Sequence, residues 1–462
     1  MLNRYIDWEF VNLANLLVHD MKTSPPGIIL PLQWIYLFIA FNSLGQNSEK
    51  TNVVPIADGY AKSHVNATIF RKNSISTYKN HQCVAFYHND ANVMLAKRKL
   101  GSTSWVIKKT PYKGNVKDAH NVICIMHDSN GFLHMAWDHH GHPLRYAVSL
   151  EPESIEMGEK RSMTGESEEK VTYPEFYKLT NGDLLFVYRD GSSGNGNLVM
   201  NRYEIKSRRW VRVQGNLIDG EGERNAYWQM CTDQAGTIHL SWVWRETGDV
   251  ATNHDMCYAR SRDHGKSWET STGRSYQMPI NAQNAEYILR IPQQSNLINQ
   301  TSMTTDHRGN PYIATYFKGA TDSSTQFKVI YRHQNKWKVS TVSNRRSNFE
   351  LRGRGSKSIP ISRPQIIAEN HNQEPKLHLI SRDEEFGNRV CLASAKIGPV
   401  MNWKIKTLND ISMRRWEPSY DTELWKNHQL FHIYLQVTEQ GDGETTIDSE
   451  PTKVNVMEVS LD

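Results

Sequence analysis

Six residues of this 462-residue chain stand at matching places in three successive segments, and their side chains are of types that move protons or hold anions. His120, Tyr173 and Tyr227 each come just before a short apolar run. His140, Arg189 and Arg245 each lie at the end of the run that follows. An imidazole serves as acid or base near neutral pH. A phenol starts near pKa 10 and is brought into range by a nearby arginine. A guanidinium holds a carboxylate with two parallel hydrogen bonds. No carboxylate pair stands at these positions, which counts against ordinary two-carboxylate glycosidase chemistry. The set suits removal of a proton α to a carboxylate. Arg189 would neutralise the carboxylate of a uronic acid, a base would take the C5 proton, and an acid would protonate the 4-linked oxygen as it leaves. A tyrosine base would give this reaction an alkaline optimum.

Each residue also has a purely structural reading. His120 could line a channel and bond only backbone. Tyr173, followed by Pro174, could simply pack at a strand start. Arg189 could pair with Asp190 or Asp138. The cluster His139, His140 and His142 leaves the register of the second histidine open and offers a metal-binding alternative, although its spacing fits no standard zinc motif. The pair Trp242 and Trp244 reads as packing, and the glycine-rich run 191–196 as a hairpin loop at a cleft rim, because no helix follows it as a phosphate loop requires.

The elements that must position these residues form a repeat. The frame from His120 through the turn Asp128–Gly131 to a strand ending at His140 recurs from Tyr173 through Asn181–Asp183 to Arg189, and from Tyr227 through Asp233–Gly236 to Arg245. Further copies begin near Gln300 and Arg363, and looser ones near Asn66 and Trp416. Seven units of roughly 50–70 residues, built of short β-type runs split by Gly, Asn and Asp turns, predict an all-β fold. The architecture expected is a seven-bladed β-propeller with four-stranded antiparallel blades around a central channel. Inner strands then bring matching positions of successive blades to one cleft. The segment Ser261–Trp268 fits the pattern S-x-D-x-G-x-x-W, a structural turn in which Asp263 and Gly265 close the hairpin and Trp268 packs back on the blade.

The net charge of +5 fits an anionic substrate and is too small to argue for nucleic acid, for which no motif is present. Residues 27–44 form the one long apolar run. It is broken by Pro31 and Gln33, so residues 1–45 read as a signal peptide, with Met21 as an alternative start, rather than a membrane anchor. The expectation is a secreted or periplasmic monomer with no stable membrane association, residues 46–462 forming a single propeller. Cys83, Cys124, Cys231, Cys257 and Cys391 sit in apolar strands without metal-ligand spacing and read as buried thiols.

The motifs around His120 and Asn121, the run Trp137–Tyr146, Thr172–Pro174 and Tyr188–Gly196 resemble those of BNR-type seven-bladed propeller polysaccharide lyases, a group that includes ulvan lyases and related rhamnosyl-glucuronate lyases. The resemblance covers about residues 50–460 and is strongest over 115–270. It implies a lyase acting by β-elimination on uronate-containing, sulfated polysaccharide of the ulvan type. It also implies that His120 and His140 form an active-site pair, that Tyr173 and Tyr227 are its phenols, and that Arg189 binds the carboxylate. On this reading His120, Tyr173 and His140 are catalytic, and Arg189, Tyr227 and Arg245 bind substrate. No metal or other cofactor is needed for the reaction, although a structural calcium or zinc ion elsewhere is compatible with it. The alternatives are a glycoside hydrolase on the same scaffold, rhamnosidase- or sialidase-like, and a propeller that binds glycan or protein without turnover.

Overall fold

Each repeat unit folds as one antiparallel sheet. The computed structural model describes residues 51–370 and 375–461, so the signal-peptide reading of residues 1–45 lies outside the described residues. Seven such sheets stand side by side in a ring, a seven-bladed β-propeller with almost no helix. The first blade spans residues 75–113, the second 123–148, the third 171–218, the fourth 225–289, the fifth 302–341 and the sixth 365–407. The seventh is built from both ends of the described chain. Phe431–Leu435 pairs with Thr452–Val459, and that strand pairs in turn with Thr51–Gly59 as the outermost strand. This closure hides two sheet edges that an open ring would leave unpaired. The repeat pattern carries no sign of it.

The expectation of four strands per blade holds in the first, fourth, fifth and sixth blades. In the second blade the outermost strand shrinks to the single bridge Ser149–Met157, and in the seventh the innermost shrinks to Tyr420–Ile433. The third blade gains a fifth strand, His140–His142, laid against its inner strand Val171–Lys178.

Blades stack face to face, so their middle strands are covered on both sides. This is why Leu133–Trp137 and Ile238–Arg245 are buried along their whole length and read as continuous apolar runs, not as alternating ones. Outer strands such as Lys336–Thr341 face solvent on one side and alternate. The apolar contacts between blades make the core; Trp228, Trp242 and Trp244 lie wholly within it, which fits the reading of Trp242 and Trp244 as packing. All five cysteines are free thiols, four of them buried.

The repeated turn works the same way in several blades. Asp128 accepts hydrogen bonds from the backbone N–H groups of Asn130 and Phe132, each 2.9 Å, and Asp306 accepts from Arg308 and Asn310. Gly131 closes the turn at φ 89°, where a Cβ would lie 2.8 Å from the Tyr78 ring. The same carboxylates reach a ring on the next strand: Asp128 faces His134 and Asp233 faces His239. Histidines that recur with the same partner at the same place brace the hairpin within each blade. The cleft histidines have no such counterparts. In the Ser261–Trp268 turn, Gly265 N donates to Ser261 Oγ at 2.9 Å and Trp268 Nε1 to the Gly265 carbonyl at 3.0 Å, on the hairpin between the third and fourth strands of the fourth blade.

No helix among the described residues is long and apolar enough to cross a membrane.

Candidate active site

The inner strands of the second, third and fourth blades begin at one end of the channel, and the residues singled out from the sequence meet there. His120, His140, Tyr173, Tyr227 and Arg245 line one cavity of about 400 Å³, in the range of small-molecule sites. Arg189 lies against it, its guanidinium 4.9 Å from the Tyr173 ring centroid.

The histidine pair is organised by a residue the repeat frame did not single out. Asp118 sits in the turn before the second blade, where its Oδ1 accepts from the backbone N–H of His120 at 2.9 Å. The same oxygen meets His120 Nδ1 at 2.6 Å, and Oδ2 meets His140 Nδ1 at 2.6 Å. The two imidazoles stack with centroids 4.1 Å apart, and Phe70 stacks on the far face of His120 at 4.9 Å. Burial opposes the charge on Asp118, but the hydrogen bonds from both histidines outweigh it and hold the carboxyl well below its usual range. An ionised carboxylate only accepts hydrogen bonds, so each Nδ1 must carry the proton. The Nε2 of a neutral ring held this way is the atom with a free lone pair. His120 is such a ring: burial, and then the neighbouring His140, bring it down to about 4 against the pull of Asp118. Asp118, His120 and His140 could each offer one ligand atom to a cation, all within 4.8 Å of one another. At 2.6 Å, however, the carboxylate and Nδ1 atoms are engaged with each other.

The register left open by three nearby histidines is settled by strand pairing. His140 lies opposite Thr172 and turns into the cleft. His139 is buried and accepts from Arg145 N at 2.8 Å. His142 Nδ1 accepts from His140 N at 3.1 Å. The three do not converge as a metal set.

Tyr173 stands at a bulge in the third blade's inner strand, where the pairing with Leu184–Ser192 shifts between Thr172 and Glu175. Its φ is 54°, a left-handed conformation that strains a tyrosine by roughly 1–3 kcal/mol. Pro174 has no N–H to lose from the ladder at this point. The strain turns the ring inward, 4.8 Å from Phe70, 5.8 Å from His120 and 5.9 Å from Tyr227. Burial, and then Tyr227, raise the Tyr173 pKa despite the arginines. The phenol stays protonated.

The arginines act on the other tyrosine. Tyr227 Oη takes Arg245 Nη1 at 3.1 Å and Arg189 Nη1 at 3.5 Å, with Ser193 Oγ at 3.0 Å. Burial works against ionisation, but the charges of Arg245 and then Arg189 bring Tyr227 down to about 7. Ser193 belongs to the 191–196 hairpin, which therefore does stand at the cleft rim. The structural alternative for Arg189 is not found: Asp138 pairs with Arg145 at 3.3 Å, and Arg189, 2% exposed, has no carboxylate partner among the described residues. Its Nε is buried without a hydrogen-bond partner among the described residues. A cation held among rings with donors to spare can receive an anion.

A second carboxylate also reaches the cleft. Glu444, from a loop of the seventh blade, comes within 3.5 Å of His120 Nδ1 and accepts from Ser356 N at 3.0 Å. It is not joined by a second free carboxylate of the kind a glycosidase pair uses, because both oxygens of Asp118 are engaged by the two imidazoles.

Comparison with known proteins bears on both fold and site. The sequence profile described as "BNR repeat-containing family member" matches residues 81–345. The long-isoform ulvan lyase of Glaciecola sp. (strain KUL10) is 26% identical over 190 residues, 30% of this chain and 19% of that protein. The match thus spans about a fifth of that relative's length. Among solved structures, the polysaccharide lyase Uly1 superposes with a TM-score of 0.61 at 18% identity, over 91% of this chain and 94% of its own. A PL25 ulvan lyase bound to -[GlcA(1-4)Rha3S]- has a TM-score of 0.61 at 14% identity, over 88% and 95%. At these identities the structural likeness speaks for the propeller.

Proposed function

The chain belongs to the BNR repeat-containing family, and within it we propose that this protein is a polysaccharide lyase, cleaving uronate-containing, sulfated polysaccharide of the ulvan type by β-elimination. The observation that carries the reading is the division of labour in the cleft. One side holds two imidazoles on a shared carboxylate and a protonated phenol. The other holds two guanidiniums with no carboxylate partner among the described residues. The sequence likeness to ulvan lyases supports the same chemistry.

In this proposal Arg189, with Arg245 beside it, receives the uronate carboxylate and neutralises it, making the C5 proton acidic enough to remove. His120, unprotonated at Nε2 and held in one tautomer by Asp118, takes the proton. His140, on the same carboxylate, shares the charge that develops. Tyr173, kept neutral by burial, donates to the 4-linked oxygen as its bond breaks and the C4–C5 double bond forms. Tyr227 tunes the arginines. The step needs no cofactor, because each group it uses is a side chain already in place. The apolar run 27–44 supports export of the enzyme to where such polymers occur.

Two substitutions test the assignment. Tyr173→Phe and His120→Ala are each expected to lower kcat by about a hundredfold or more, with folding intact. Full activity in both variants contradicts it.

A further inference from the structure

We propose that the segment 352–357 is a strap that binds a sulfate ester on the sugar flanking the scissile bond; this rests on the lyase reading. The segment, Arg352-Gly353-Arg354-Gly355-Ser356-Lys357, belongs to no blade. It leaves the fifth blade and crosses to the mouth of the cleft, where Arg354, Ser356 and Lys357 line the same cavity as His120 and Tyr227.

The strap is built and held. Gly353 N donates to Asp249 Oδ1 at 2.6 Å, and Val250 N donates to the Gly353 carbonyl at 3.0 Å, on the fourth-blade side. Ser356 N donates to Glu444, Gly443 N to the Ser356 carbonyl at 2.8 Å, and Ser358 N to Asp442 Oδ1 at 2.7 Å, on the seventh-blade side. Gly353 and Gly355, at φ 88° and 75°, fold the backbone between these anchors in a conformation that side chains resist. Arg354 lies over Gly248, where a Cβ would come within 2.6 Å of its Nε.

So much anchoring presents groups that the protein itself does not use. Neither Arg354 nor Lys357 has an acidic partner among the described residues, whereas the neighbouring Arg352 pairs with Glu350 at 2.8 Å. Ser356 is 5% exposed, and its Oγ has no hydrogen-bond partner among the described residues, an unfavourable state for a buried hydroxyl that a ligand would relieve. The uronate carboxylate is already provided for by Arg189 and Arg245, so these groups await a second anion. A planar carboxylate is best held by a single bidentate guanidinium. A guanidinium, an ammonium and a hydroxyl offered to one cavity by three residues suit the tetrahedral oxygens of a sulfate ester, with Lys357 as a point charge.

The test compares ulvan with solvolytically desulfated ulvan, which keeps its uronate, using the full chain and the double variant Arg354→Gln/Lys357→Gln. Ser356→Ala, a smaller change, covers the case in which the double variant does not fold. The double variant is expected to raise KM for ulvan about tenfold or more with kcat little changed, and to leave KM for the desulfated polymer unaltered. Ser356→Ala is expected to act in the same direction. An equal rise on both polymers, or none on ulvan, overturns the proposal. Affinity electrophoresis in gels containing each polymer reads the same selectivity without turnover. A wild-type protein that binds ulvan and releases no unsaturated product contradicts the lyase reading, and the gel comparison still decides the strap.

Discussion

At the scale of single residues, the cleft turns on Asp118. An amide at this position presents one acceptor and one donor in place of two acceptors, so one imidazole must move its proton to Nε2. Asp118→Asn is therefore expected to lower kcat by about a hundredfold or more, with KM and thermal stability near wild type; steady-state kinetics beside a melting curve checks this, and a variant of normal kcat removes the tautomer argument. The pH profile is a second residue-scale test. His120 must be unprotonated, so kcat/KM is expected to fall as pH drops through about 4. Above about 7 Tyr227 ionises and neutralises the guanidiniums proposed to receive the uronate, so KM is expected to rise there, and Tyr227→Phe to abolish the rise. Activity that instead increases through pH 7, and stops doing so in Tyr227→Phe, would make Tyr227 the base. The sequence alone points to an alkaline optimum because it does not tell which phenol the arginines face. His120, His140, Tyr173, Arg189, Tyr227 and Arg245 were legible because they occupy repeated positions in adjacent units. Asp118 precedes the frame by two residues, and its one local signal is the Asp-x-His spacing of a turn that bonds back to the following backbone. Glu444 and the 352–357 strap come from irregular loops of other blades, where no periodicity exists to place them.

At the scale of the element, legibility followed burial. Middle strands are covered on both faces and read as apolar runs, so the seven units could be counted. Outer strands carry the weakest pattern, which is why Thr51–Gly59, interrupted by Pro55 and half solvated, was not recognised as the strand that closes the ring. The bulge at Tyr173 was also hidden. A tyrosine before a proline is an ordinary strand start in sequence, and only the broken register gives it a left-handed backbone. The Ser261–Trp268 turn was readable because its residues are fixed by local geometry, and the structure gives it a packing role away from the cleft. Trp268, 2% exposed, should cost about 3–5 kcal/mol when replaced by Ala. A lowered melting temperature with unchanged kcat at low temperature is expected for Trp268→Ala. A specific loss of kcat without loss of stability would place that hairpin in the site.

At the scale of the whole molecule, the cleft exists only in the closed ring. Its imidazoles and Tyr173 come from the second and third blades, its guanidiniums from the third and fourth, and its rim from loops that follow the fifth blade and belong to the seventh. The seventh blade is completed by a strand from the far end of the described chain. A chain whose repeats each supply unlike residues thus concentrates imidazole, phenol and guanidinium groups at a single point. The most direct test of the resulting claim is ultraviolet absorbance of the purified protein incubated with ulvan. The expected result is a rise from the conjugated C4–C5 double bond that is lost in Tyr173→Phe and His120→Ala. New reducing ends without that absorbance would contradict elimination and make the cleft that of a hydrolase.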